Sequence, residues 1–419
     1  MYEMNYDVVV IGAGPAGLAA AASAKEQGAE RVLIIERDTA PGGILQQCIH
    51  AGFGLTYFKE ELTGPEYANK FVHKAIGVGV ELLLDTMVLE VLPGGVVLGN
   101  NPEYGVVKVR AGAVVLAMGC RERTRANLRI PGTRPAGVYT AGSAQRLVNR
   151  QNQLVGRKVV ILGSGDIGMI MARRMSLEGA KVEAVVEIMS YLAGLTRNRV
   201  QCLDDFEIPL LLSHTITRIV GERRVEGVYI AQVDANRRPI PETERFIECD
   251  TVLLSVGLIP ENELSRGANI KMHPVTNGPV VNQWMQTSMP GVFACGNVVH
   301  VNDLADNVSM ESEIAGAAAA RYAAGKFPEE IGTAACVPGN NIHYICPHYL
   351  SVGAENSKAR VYFRVLAPGK ETVLTASCGD KVLAARKVRR VSPGEMEHLD
   401  FDTEGLAGLE IRVDAKEVE

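Results

Sequence analysis

No two of the eight cysteines stand in a short, repeated spacing. Zinc and iron–sulfur ligation usually need paired CxxC spacings, and a disulfide framework needs dense cysteines in a short chain. All three are disfavoured. Charge is close to balanced, 43 Lys and Arg against 48 Asp and Glu, for a net −5. That gives no electrostatic reason to expect nucleic acid or an anionic membrane as a partner. No apolar run reaches the roughly eighteen residues that a membrane span needs. The first strand pattern begins at Tyr6, which leaves no room for a signal peptide ahead of it. The cytoplasm is therefore the expected compartment.

What is present is an ordinary globular composition, 47% apolar and 22% charged over 419 residues. A chain of this length supports two to four domains and a large buried core. Glycine is the one excess, at 43 residues. It points to turns and to places where backbone approaches a ligand closely.

Residues 6–11 (YDVVVI) form a short, β-branched apolar run of the kind buried in a parallel sheet. Gly12, Gly14 and Gly17 follow as G-x-G-x-x-G, with Pro15 and Ala16 in the gap, and an Ala-rich helical stretch runs over 18–27. A second strand, 32–35, leads into Glu36 and Arg37. In this arrangement the first glycine allows the tight turn, the second admits a pyrophosphate, and the third lets helix and strand pack closely. The helix N-terminus presents free N–H groups to the phosphates. The acid at the end of the second strand accepts from a ribose diol.

The pattern then repeats. Residues 158–162 (KVVIL) read as a strand, Gly163, Gly165 and Gly168 follow with Asp166 and Ile167 between, a helix covers 169–177, and a strand over 181–186 ends at Glu187. Two complete units imply two bound dinucleotides. A carboxylate at the ribose repels a 2′-phosphate, and no arginine pair follows Glu187 directly, so NAD is expected here. Arg197 and Arg199 lie close enough in sequence to keep NADP as the lesser alternative.

These residues resemble the FAD-dependent pyridine-nucleotide oxidoreductases with two dinucleotide-binding domains, relatives of thioredoxin and glutathione reductases. Gly42-Gly43, the stretch 113–119 (AVVLAMG) with Ala117 and Gly119, 251–260 (TVLLSVGLIP) with Gly257, and 290–297 (PGVFACGN) with Gly296 and Asn297 match that family's motifs. The resemblance runs from about residue 5 to 330 and implies FAD in the first site and NAD in the second. The implied fold is α/β: two interleaved Rossmann-like domains plus a small C-terminal antiparallel β domain. The segments are 1–120 and 259–334 for FAD, 121–258 for NAD, and 335–419 for the β domain. A closer likeness, carried by 42–54 (GGILQQCIHAGFG) and 121–142, is to NAD(P)/FAD subunits found beside anaerobic glycerol-3-phosphate-type dehydrogenases and to subunits of opine, hydroxyproline and cyanide-forming dehydrogenases. It implies an oligomer, with a partner dehydrogenase or electron-transfer subunit.

The sequence departs from the family in two places. The disulfide reductases carry two redox cysteines near the flavin, whereas here Cys48 stands alone five residues after Gly43 and Cys202 has no near neighbour in sequence. A reversible disulfide needs two sulfurs in reach, so dithiol chemistry is not expected. Asn297 stands where the family usually has Asp on the ribityl chain; its amide still accepts a hydroxyl. The resemblance also implies a helix over 308–324, capped by Asp306 or Asn307, with its positive end toward the flavin. Residues 44–57 are implied to lie along the flavin, which makes Gln46, Gln47, Cys48 and His50 candidates for contact there, Cys48 and His50 as catalytic groups.

Alternating stretches at 359–365, 371–377, 381–388 and 409–413 suggest the β domain. Cys336, Cys346 and His348 invite a metal reading, but nine residues separate the two cysteines and no fourth ligand is evident, so no metal is expected. The expected function is an FAD-dependent NAD(P)H oxidoreductase that passes electrons between NAD(H) and FAD as a subunit of a larger dehydrogenase. A stand-alone NADH oxidase or quinone reductase is the second reading, and a flavin-loaded structural or sensing subunit the third.

Overall fold

The computed structural model describes residues 1–353 and 358–418. The chain forms two compact units, one from Met1–Cys120 with Pro260–Glu419 and one from Arg121–Ile259.

The first unit is built on β1 (Tyr2–Ile11), whose Val8, Val9 and Val10 are fully buried. A β-branched strand with both faces covered suits a parallel sheet. After α1 (Pro15–Glu26) comes β2 (Val32–Ile35), then β3 (Gly105–Leu116). β1 pairs in parallel with both strands, in register Val8↔Val32 and Val8↔Ala113. The hairpin Met87–Leu92 and Val96–Asn101 extends the sheet beyond β3. α1 is buried from Ala16 to Ala24, and its alanines account for that: a helix covered all round must offer small side chains on every face.

The second unit repeats the plan. β4 (Lys158–Leu162), α2 (Asp166–Leu177) and β5 (Lys181–Val186) form the same strand–helix–strand, and β6 (Thr251–Leu254) flanks β4 in parallel. Val138–Thr140 and Leu210–Leu211 complete the five-stranded sheet at its two edges. A three-stranded antiparallel sheet of His214–Val220, Gly227–Gln232 and Arg245–Glu248 packs within this unit.

The chain then returns to the first unit. β7 (Val292–Ala294) adds to β3 in parallel, and α3 (Ala305–Ala323) lies on α1, with Ser23 Oγ donating to the Glu313 carbonyl at 2.8 Å. The C-terminal part holds β8 (Glu330–Pro338), β9 (Ile342–Cys346), β10 (Lys358–Val365) and β11 (Glu397–Asp402), among others. Its five-stranded sheet runs Tyr349–Gly353, β8, Glu410–Glu417, Gly369–Cys378, Lys381–Val391, and β9, β10 and β11 form a second sheet. It has its own core around Leu350, Phe363, Leu374, Ile411 and Val413, all fully buried. Among the described residues the pairing is antiparallel except at one point: β8 and Glu410–Glu417 run parallel, Cys336 opposite Ile411. Alternation reveals a half-buried strand but not its partner's direction, so that exception was not readable. Among the described residues no helix is long and apolar enough to cross a membrane.

Candidate cofactor sites

In the first unit the chain leaves β1 through Gly12, whose φ of +105° favours glycine; a side chain there would meet the Ala117 carbonyl at 2.5 Å. Gly14 is the N-cap of α1 and Pro15 its first residue, with no side-chain cap and no acid in the first turn. A Cβ added at Gly14 finds no atom within 4 Å. Open space thus lies beside the N–H groups at the positive end of a buried helix, where an anion is stabilised. Gly17 differs: a methyl there would overlap the Gly12 carbonyl.

The remaining predicted residues of this unit gather around that turn. Glu36 is buried and accepts from Ala13 N at 2.6 Å and Asp38 N at 2.8 Å. A carboxylate has about four acceptor positions, so capacity remains for a ribose hydroxyl. Arg37, next to it, is exposed. Gly42 N donates to the Ala13 carbonyl at 2.7 Å, and a side chain on Gly43 would touch Gly14 Cα. Ala117 N donates to Ile11 O at 2.9 Å, and Gly119 has open space beside it. A side chain on Gly296 would meet Ala16 Cβ at 2.8 Å, which sets the late motif against the start of α1. Asn297 Oδ1 accepts from Asn302 N at 2.9 Å, and its Nδ2 donates to Cys120 Sγ at 3.5 Å.

The second unit reproduces these relations. Gly163 has φ +100°, the Cβ position of Gly165 meets nothing closer than 3.6 Å, and that of Gly168 lies 2.7 Å from the Gly163 carbonyl. Glu187 is buried; one oxygen accepts from Ser164 N at 2.8 Å and Ser164 Oγ at 2.7 Å, the other from Met189 N at 2.9 Å. Asp166 opens α2 and accepts from Leu195 N and Asn198 Nδ2 at 2.8 and 2.6 Å. Ile167 is half-buried beside it, and Gly257, with φ +98°, borders open space. Arg197 and Arg199 are exposed on Thr196–Cys202, Arg199 lying 3.6 Å from Asp204. Sequence reasoning missed Ser164, whose hydroxyl also accepts from Ala193 N at 3.0 Å and so ties the loop after β5 to the glycine turn. Its place inside the motif was the available signal.

Gly43–Gln47 forms a short 3₁₀ turn, and Cys48 follows with its thiol donating to the Ile44 carbonyl at 3.3 Å. Burial pushes that thiol up to about 12, which disfavours the thiolate at neutral pH. His50 Nδ1 lies 3.0 Å from Ala51 O, and its ring packs near Phe53. The described residues include all eight cysteines, and none of them is in a disulfide.

The late helix starts differently from the sequence expectation. α3 begins at Ala305 with Leu304 as N-cap, so Asp306 and Asn307 lie inside it and neither caps it. Asp306 is buried, and its carboxylate instead accepts from Gly54 N, Thr56 N and Tyr57 N at 3.1, 2.8 and 3.4 Å. A distant loop outcompeted the local amides. The acid in the first turn also offsets part of the helix's positive end.

Of the residues considered for metal, Cys346 groups not with Cys336 and His348 but with His300 and Glu311, whose ligand atoms and its own lie within 4.8 Å of one another. His300 Nε2 and Glu311 are hydrogen bonded at 2.6 Å, and the other Glu311 oxygen accepts from Gly296 N at 2.8 Å. His348 accepts from Val281 N at 3.1 Å, and its ring packs against that of His273, tilted 37° with 4.3 Å between ring centres.

Comparison with known proteins agrees with this geometry. The chain is 27% identical to an opine oxidase subunit of Rhizobium meliloti over 315 residues, 70% of this chain and 66% of that protein. It spans about two thirds or less of such subunits, 61% for that of Agrobacterium tumefaciens. It is 27% identical to thioredoxin reductase of Mycolicibacterium smegmatis over 303 residues, 70% of this chain and 88% of that one. The crystal structure of T. acidophilum thioredoxin reductase superposes with a TM-score of 0.61 at 25% identity, covering 75% of this chain and 98% of that one. Residues 6–324 match the pyridine nucleotide-disulphide oxidoreductases, and the chain belongs to that family of FAD-dependent, NAD(P)H-using enzymes.

Proposed function

We propose that the unit containing Gly14 holds FAD, that the unit containing Gly165 holds NAD(H), and that the chain passes electrons between them as one subunit of a larger dehydrogenase. The observation that carries this reading is the duplicated cradle: a Cβ position that meets no atom at Gly14 and only Ser255, at 3.6 Å, at Gly165, each beside the N-terminus of a 12-residue helix. Residues that would hold FAD are Gly12, Gly14, Pro15, Ala16, Gly17, Glu36, Arg37, Gly43, Ala117, Gly119, Gly296 and Asn297. Those that would hold NAD are Gly163, Gly165, Asp166, Ile167, Gly168, Glu187 and Gly257. Bound together, such cofactors supply hydride transfer between a nicotinamide and a flavin ring. The chain's task is to bind and orient them, and its buried acids Glu36 and Glu187 brace the turns that do so. Cys48 and His50 remain the groups proposed to contact the electron acceptor or shield the flavin.

Burial that holds the Cys48 thiol protonated supports chemistry without a redox disulfide at that position, and the cytoplasm is the proposed compartment. The subunit role draws support from the relatives named as subunits of opine oxidase. The second reading, a stand-alone NADH oxidase or quinone reductase, makes opposite predictions for the isolated chain. Anaerobic NADH should bleach the flavin of the purified chain while turnover with oxygen or quinone stays slow, and native purification should bring down a second polypeptide. Fast quinone turnover without a partner would favour the second reading. A flavin that NADH fails to bleach would refute both.

A further inference from the structure

The family match ends at residue 324, yet the β domain beyond it grips one loop of the first unit. Arg364 on β10 donates to the Val301 carbonyl at 3.0 Å and lies 3.6 Å from Asp303, the two side chains being 14% and 8% exposed. Met396 N, just before β11, donates to the other Asp303 oxygen at 3.3 Å. The rings of Tyr344 on β9 and Tyr362 on β10 lie 5.9 and 6.1 Å from that of His300, where the loop starts. Residues 300–304 are thus held from the β-domain side.

From the other side the same loop holds the late glycine motif. Asn302 N donates to Asn297 Oδ1 at 2.9 Å, and Asn302 Nδ2 to the His300 carbonyl at 3.3 Å. His300 is bonded to Glu311, which takes the Gly296 N–H. An amide whose oxygen is engaged cannot flip without losing that bond, so the loop dictates which way Asn297 presents its donor and acceptor.

We propose that the C-terminal β domain completes the FAD site, with Arg364 as a positioning residue that fixes loop 300–304 and, through Asn302, the orientation of the Asn297 amide. This rests on Asn297 being an FAD contact. An arginine is suited to the task because its fork reaches two ways: Nη2 donates to the Val301 carbonyl and lies beside Asp303, while Nη1 donates to the Pro393 carbonyl of the β domain at 3.1 Å, two anchors that a single ammonium would not span as well.

A double-mutant cycle on the full chain tests it, read by FAD dissociation constant and by the visible circular dichroism of bound flavin. Arg364→Met keeps the stem and removes the fork. It should weaken FAD roughly ten-fold, the scale of one charge-assisted hydrogen bond, and alter the flavin dichroism with the far-ultraviolet spectrum unchanged. Lys387→Met, in the same domain but paired with exposed Glu371, should leave both readings as in wild type. If Arg364 acts through Asn297, the double variant Arg364→Met/Asn297→Ala binds FAD no worse than Asn297→Ala alone. Additive losses, or an Arg364→Met that behaves like Lys387→Met, would overturn the proposal while sparing the Asn297 contact. An Asn297→Ala variant with unchanged FAD affinity would overturn that contact and the proposal with it. Should Arg364→Met fail to fold, Arg364→Lys takes its place in the same cycle.

Discussion

Glu36 and Glu187 are one device used twice. Each closes its glycine turn by accepting the N–H of the residue after the first glycine, Ala13 or Ser164, and each keeps capacity for a ribose. Glu187→Ala should therefore lower the preference for NADH over NADPH, by about ten-fold in the ratio of kcat/KM values if one carboxylate–hydroxyl bond is lost. An unchanged ratio would remove Glu187 from the site. His348 allows a prediction about pH. Burial first, then the neighbouring His273 and His300, push it down to about 3. An unfolded histidine titrates near 6.5, so the folded state binds fewer protons. The stability from holding His348 neutral is complete above pH 6.5 and is lost as pH falls from there toward 3, at about 1.4 kcal/mol per unit. Urea unfolding at pH 6.5 and 5.5 should show a smaller loss in His348→Gln than in wild type. Equal losses would contradict the assignment.

At the scale of elements, the three glycines of each motif do different work, and stability and binding should separate accordingly. Gly168→Ala places a methyl 2.7 Å from the Gly163 carbonyl and 2.8 Å from Ser255 Cβ, so it should destabilise the fold by about 1–3 kcal/mol. Gly14→Ala points into open space and should leave thermal stability nearly unchanged while FAD affinity falls. A Gly14→Ala protein that binds FAD normally would show that the space serves something else. The strand–helix–strand units were legible in sequence because every part of them is local: a β-branched run, a glycine spacing, an acid about twenty residues on. The start of α3 was not. Asp306 looks like a cap by sequence, yet its partners are amides some 250 residues away, Gly54 and Thr56. Glu311 was missed for a like reason, since a glutamate inside an Ala-rich helix reads as a solvated side chain until its carboxylate is found on Gly296 and His300.

For the whole molecule, the chain is a duplicated nucleotide-binding plan with a β domain appended to one copy. The first unit is assembled from two distant segments, and β7, α3 and the β domain all belong to the later one. Completing that unit's sheet requires pairings across nearly two hundred residues, such as Val114 with Val292. The duplication is plain in the sequence, but the hold of the β domain on loop 300–304 lies in contacts that no local pattern announces.

Two separate cradles, each taking one cofactor, are the core of this reading of the molecule. Calorimetric titration of FAD and NADH into wild type, Gly14→Val and Gly165→Val tests it most directly. Wild type should bind one FAD and one NADH per chain, Gly14→Val should lose FAD alone, and Gly165→Val should lose NADH alone. A single site shared by both nucleotides, or either variant retaining the cofactor assigned to its cradle, would contradict it.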